Sequence, residues 1–247
     1  MVRGLYSSAN GLLVEAARTD TIAANLAGLS VPAYRRDIPT VSAFEQTLTY
    51  TALAGGAGPV GPPVVLLPET QVDLQPGQLR QTGGRLDLAL DGPGYFCVQR
   101  PRGEAYTRSG AFHLDASHYL LTSAGDRVLG QAGPVRIEGG QVEVLENGDL
   151  LVDGARVDRL RLVAFPAGAD AQKLGRGLLR VDGPVVAADS GGEVGRVRQG
   201  YLEQANVNAV TELAAMIAAL RAFEASQRAL QATDETLAKA INEVGRV

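Results

Sequence analysis

NVNAVTELAAMIAALRAFEASQRALQATDETLAKAINEV, residues 206–244, decides how this chain is built. Its apolar side chains step in threes and fours through Leu213, Met216, Leu220, Phe223, Leu230, Leu237, Ile241 and Val244, and only Gln227 and Asp234 interrupt them. That spacing predicts a helix that buries a narrow stripe against other helices. Neither Pro nor Gly breaks the run. At 1.5 Å per residue the helix would be roughly 55 to 60 Å long, more than one small β domain can cover. Asn206 and Asn208 stand at its start, where an amide side chain caps free N–H groups or interlocks with a neighbour.

The other end repeats the pattern with smaller residues: Leu5, Ala9, Leu12, Ala16, Thr19, Ala23 and Leu26, widened by Leu13 and Ile22. Alanines at alternate positions let another helix approach closely. Gly28 and then Pro32 end it, the one leaving the helical region and the other lacking the donor. The expected fold class is α+β, with long N- and C-terminal helices packed as a coiled-coil-like pair around a central, irregular all-β domain. The expected division is 1–33 for the N-terminal helix, 34–75 for a linker, 76–200 for the β-rich domain and 201–247 for the C-terminal helix, paired with 1–33.

Between the ends the pattern changes. Val41 to Leu53 allows a short helix, and Ala54 to Pro63 is a Gly- and Pro-rich linker. Short apolar runs follow at 86–90, 95–99, 111–114, 135–137, 141–145, 150–152, 160–165 and 178–181, punctuated by Gly83-Gly84, Asp91-Gly92, Asn147-Gly148 and Asp153-Gly154. Such punctuation suits an irregular barrel or sandwich better than a parallel sheet, and the two Gly pairs around Leu150 mark a hairpin.

Composition narrows the function. A chain of 247 residues with net charge −4 is large enough for a substantial core and carries no basic track for nucleic acid. Arg35-Arg36, Arg100 to Arg108 and Arg156 to Arg161 are short clusters that suit solvated loops or ion pairs. No apolar run is long enough to span a membrane, and Glu15, Arg18 and Asp20 interrupt any signal-peptide core, so ordinary rules place the chain in the cytoplasm. Cys97 is the lone cysteine, expected as a small buried strand residue.

His113 and His118 are the only histidines, and they lie in a strand and the turn after it, without a nucleophile and carboxylate arranged around them. Neither a metal site nor a cofactor is expected from these ligands. Carboxylates such as Asp87 with Asp91 or Glu143 with Glu146 fall in turns, and Gly92-Pro93-Gly94 lacks the features of a phosphate loop. No catalytic residue is expected, which leaves binding to copies of itself or to neighbours. A secreted adhesin or hydrolase trimerised by its terminal helices is the alternative of a different class.

Three blocks in order resemble the bacterial flagellar basal-body rod and hook proteins. They are Ala9-Asn10-Gly11-Leu12 with Asp20 to Ala27; Arg85 to Phe96 with Ala105-Tyr106-Thr107-Arg108-Ser109-Gly110-Ala111-Phe112; and Gly200 to Asn208, continuing through Met216-Ile217, Arg221 to Glu224 and Thr233 to Glu235. The resemblance implies a torque-transmitting axial subunit whose terminal helices form the core of a tube, with the β domain outside. Its partners would be copies of itself and neighbouring rod proteins. It also implies uncleaved export through the flagellar type III apparatus to the rod in the periplasmic space, which overrides the cytoplasmic expectation. Phe44-Glu45-Gln46-Thr47-Leu48 fits the Phe-x-x-x-apolar pattern of such export substrates.

The length and Val128 to Pro134 resemble the proximal rod subunit more than the distal rod or the longer hook subunit. Where the family usually carries Asn, Thr-Pro-Gly and an aromatic, Gly28-Leu29-Ser30-Val31-Pro32-Ala33-Tyr34 stands instead. The expected assembly interface is Leu5, Leu12, Ile22, Leu26, Asn206, Asn208, Leu213, Met216, Leu220, Phe223, Leu230, Leu237 and Ile241.

Overall fold

The computed structural model describes residues 2–40, 43–44, 64–65, 69–101, 103–166, 168–187 and 194–244. The stretch expected as a linker, 54–63, and most of 41–53 lie outside them; Ala43–Phe44 is a short strand paired with Val64–Val65. Two compact units divide the chain: residues 1–26, 37–71 and 209–247 form one, and residues 27–36 with 72–208 form the other.

The first unit holds both long helices, α1 (Val2–Ala27) and α2 (Ala209–Val244). They do not form the coiled-coil-like pair expected from the spacing. Leu213 and Leu220, which such a seam would bury, are 51% and 45% exposed, whereas Glu212 and Ala219, one residue earlier, are buried. Met216, Phe223 and Leu230 are half-buried and belong to the inward stripe with Ala219. Apolar residues occupy two adjacent stripes of α2, and successive residues are about 100° apart around a helix, so spacing alone does not tell which stripe turns inward. Where α1 and α2 come close among the described residues the contact is small: a Cβ added to Gly11 would lie 3.7 Å from Ser226 Oγ. The architecture is therefore α+β, with one helix at each end of the chain and a large, mostly β body between them in sequence.

The second unit is built on a nine-stranded antiparallel sheet. Its middle strand, Tyr95–Arg100, pairs with Gly103–Thr107, Arg127–Val128 and Leu162–Ala164. Successive side chains of a strand face opposite ways. Phe96 and Val98 accordingly enter a core with Leu88, Leu90, Leu120, Ile137 and Leu150, while Tyr95 and Cys97 enter a second with Tyr106, Val163 and Leu179. Burial on both faces explains why this strand reads as a continuous apolar run.

The hairpin expected around Leu150 is part of a meander, Val142–Val144, Asp149–Val152 and Ala155–Arg159, whose second turn places Asp153 and Gly154 at φ 50° and 82°. Gly110 is required for a different reason: a Cβ there would lie 1.6 Å from the Leu88 carbonyl oxygen. Val135 and Ile137, expected in a strand, are buried without belonging to one.

Candidate assembly site

On α2, Val210, Leu213, Ile217 and Leu220 are 77%, 51%, 54% and 45% exposed. Their spacing of three and four residues places them along one side of the helix. Leu13 of α1 is likewise exposed, while Leu12 and Leu26 are half-buried and Ile22 is buried. The side chains of Leu5, Leu237 and Ile241 lie outside the described residues. Among the expected interface residues, then, the structure separates an outward set, Leu213 and Leu220, from an inward set, Ile22, Met216, Phe223 and Leu230.

Near the end of α1, the buried Asn25 bonds the backbone of Asp37 in both directions: Nδ2 donates to the Asp37 carbonyl at 2.9 Å, and Oδ1 accepts from the Asp37 N–H at 2.8 Å. The paired bonds close the turn that leaves the helix, within the first unit.

In the second unit, residues 33–36 run beside residues 203–206. Ala33 N–H donates to the Glu203 carbonyl at 2.8 Å, and Asn206 N–H donates to the Tyr34 carbonyl at 3.1 Å. Asn206 completes the clasp with its side chain, which accepts from Arg36 N–H at 2.6 Å and donates to the Asp73 and Gln75 carbonyls at 3.1 and 3.0 Å. Its amide thus serves three backbone groups of its own subunit. Asn208, the residue before α2, is exposed.

Beneath the clasp lies a buried ion triad. Glu203 Oε1 accepts from Arg35 Nη1 at 2.6 Å and Gly77 N–H at 2.8 Å, and Oε2 accepts from Arg108 Nε at 2.7 Å. Arg108 Nη2 also donates to the Leu90 and Gly92 carbonyls. Burial pulls the Arg108 guanidinium down and the Glu203 charge pushes it back up. Tyr95, against the same charges, is pushed up by burial and drawn back by Arg35 and Arg108.

Sequence reading treated Arg35 and Arg108 as members of short surface clusters and gave Glu203 no role. The signal lay in the ordered blocks, since Arg108 falls in the second and Glu203 in the third.

His113 and His118 are both exposed, His118 in a turn at φ 64°. Among the described residues no group of three or more His, Cys, Asp or Glu is placed to hold a metal, and no helix is long and apolar enough to cross a membrane.

A subunit with amphipathic terminal helices, an outward apolar stripe and a β body that clasps both helix roots is built for assembly. Two family profiles match the chain: flagellar basal body rod FlgEFG protein C-terminal over residues 198–243, and flagellar hook protein FlgE/F/G D1 domain over residues 89–152. The chain is 33% identical to the flagellar basal-body rod protein FlgF of Escherichia coli K12 over 88% of both chains. It is 31% identical to FlgF of Rhizobium meliloti over 99% of both. It is 28% identical to the flagellar basal-body rod protein FlgG of Bacillus subtilis over 98% of this chain and 99% of that one. The chain belongs to the flagellar basal-body rod protein family, as a structural subunit.

Proposed function

We propose that the chain polymerises with copies of itself and with neighbouring rod proteins through the outward face of its terminal helices, transmitting torque without catalysing a reaction. The observation that carries this reading is the exposed line Val210, Leu213, Ile217 and Leu220 on α2. Burying one such side chain contributes roughly 1.5 to 3 kcal/mol, so a few contacts repeated along a helical array make a stiff joint.

In this reading 1–33 and 201–247 supply the axial part, 34–75 the linker and 76–200 the outer part. The chain reaches the periplasmic rod by uncleaved export through the type III apparatus and takes the proximal position. Mass spectrometry of detergent-purified hook–basal bodies tests it. A handful of copies per complex supports the proximal rod, tens move the chain to the distal rod or hook, and absence overturns the reading.

A further inference from the structure

The buried ion triad adjoins a cavity of about 150 Å³ in the second unit, walled by Tyr34, Tyr95, Leu178 and Leu179. Arg35 and Lys173 also line it, and the exposed Arg176 stands at its rim in the turn between the strands Ala171–Gly175 and Leu178–Val181. The charges of this neighbourhood do not balance. Glu203 is shared between Arg35 and Arg108, so the triad keeps one positive charge. Lys173 packs 4.0 Å over the Tyr34 ring and donates to the Arg35 carbonyl, which adds a second positive charge and no carboxylate. Arg176 makes no ion pair among the described residues and adds a third.

The donors do not balance either. Arg108 is hydrogen-bonded through Nε and Nη2, but of the Arg35 guanidinium only Nη1 has an acceptor; Nε and Nη2 are buried without one. An unmet guanidinium edge in a low-dielectric site is costly until an acceptor reaches it, and a carboxylate matches its fork. At roughly 30 Å³ per water, the cavity has room for about five waters or one short side chain. Apolar walls over a cationic floor suit a carboxylate carried on two or three carbons.

We infer that this cavity receives a Glu or Asp side chain from the adjoining subunit, which completes the Arg35 hydrogen bonds. The occupant is assigned by charge complementarity: the cavity is cationic, while the chain as a whole carries 27 acidic against 23 basic side chains. The inference rests on the rod-subunit reading for the source of the carboxylate, but not for its chemistry.

The test has two arms. In the first, the full-length chain is titrated with N-acetylglutamate N-methylamide and with its glutamine counterpart, following the Arg Nε–Hε signals by NMR. Saturable binding of the glutamate probe alone is expected, weakened at least about tenfold by Arg176→Gln and by Arg35→Lys. Near-ultraviolet circular dichroism checks that each variant is folded, and the exposed Arg176→Gln leaves the triad intact. Equal binding of both probes, or of neither, overturns the inference.

In the second arm, a photo-crosslinking residue replaces Arg176 in cells and hook–basal bodies are purified. An adduct to an acidic peptide of a rod subunit supports the inference. Probe binding with no adduct assigns the cavity to a free carboxylate and overturns the subunit as its source. The chain present in basal bodies without an adduct sinks this inference and leaves the rod reading standing; its absence from them sinks that reading instead.

Discussion

Arg35 and Glu203 lie 168 residues apart in the chain, yet Nη1 of one donates to Oε1 of the other at 2.6 Å, with both side chains buried. Arg35 belongs to the segment that follows α1, and Glu203 ends the strand that precedes α2. The pair therefore fixes, inside the β body, the points from which the chain leaves one helix and enters the other.

Glu203→Gln keeps the shape and removes the charge, leaving Arg35 and Arg108 buried without a counterion. Breaking a buried pair from one side costs about 3–5 kcal/mol. The expected result is a fall of that size in urea-unfolding stability. Adding Arg35→Met to Glu203→Gln should recover part of it, because one buried charge is then gone. A loss under 1 kcal/mol, flagged here as about the value of an exposed pair, would show the triad to be solvent-screened.

Asn206→Ala removes the acceptor of Arg36 N–H and the donor to the Asp73 and Gln75 carbonyls together. Each group left unmet in a partly buried site costs about 1 kcal/mol or more, so a loss of about 2–4 kcal/mol is expected. Hydrogen exchange checks the location: Arg36 N–H should lose protection, whereas Phe96 N–H in the central sheet should change only as global stability does. Asn206→Asp should rescue the Arg36 bond but not the two carbonyl bonds.

Local rules carried much of this fold. Apolar residues every three or four positions marked α1 and α2, and Asp153-Gly154 marked its turn, because both signals arise from backbone geometry within a few residues. What spacing could not give was the direction of a helix face. Leu213 and Ala219 both continue an apolar pattern, and only the packing of the folded chain turns Ala219 inward and leaves Leu213 out. Glu203 was illegible for a related reason: a carboxylate is buried only when its partners arrive from distant segments, here Arg35 and Arg108. Cys97 was legible because a small apolar residue between Phe96 and Val98 has few other places to go.

Burial pushes the Cys97 thiol from 9.0 up to about 11, with Arg161 pulling the other way. The folded protein therefore holds this proton at a pH where the unfolded chain releases it. The contribution to stability is full below about pH 9 and is lost as pH rises through 11, amounting to about 2–3 kcal/mol. Cys97→Ala abolishes that slope. Tyr95 and Tyr106, also pushed up by burial, remain in both proteins, so the difference between their urea midpoints from pH 8 to 11 isolates the thiol. Parallel pH profiles would mean that Cys97 ionises as easily folded as unfolded.

The outward stripe of α2 gives the sharpest test of assembly, because the two apolar sides of the helix should respond differently. Leu213→Asp and Ile217→Asp place charge on positions that are already exposed, so the monomer should melt within about 0.5 kcal/mol of the parent, as surface substitutions do. In the rod the same carboxylates would lie in an apolar joint without a partner, at a cost of several kcal/mol per contact. Motility should then be lost and hook–basal bodies should be absent or truncated, although the secreted subunit is folded. Ala219→Leu, on the buried side, should do the reverse first, overpacking the monomer by about 1–3 kcal/mol before any effect on assembly is read. Full motility with Leu213→Asp and Ile217→Asp combined would remove this face from the joint and leave the inward residues Met216, Phe223 and Leu230 to be tested after rearrangement of the helices.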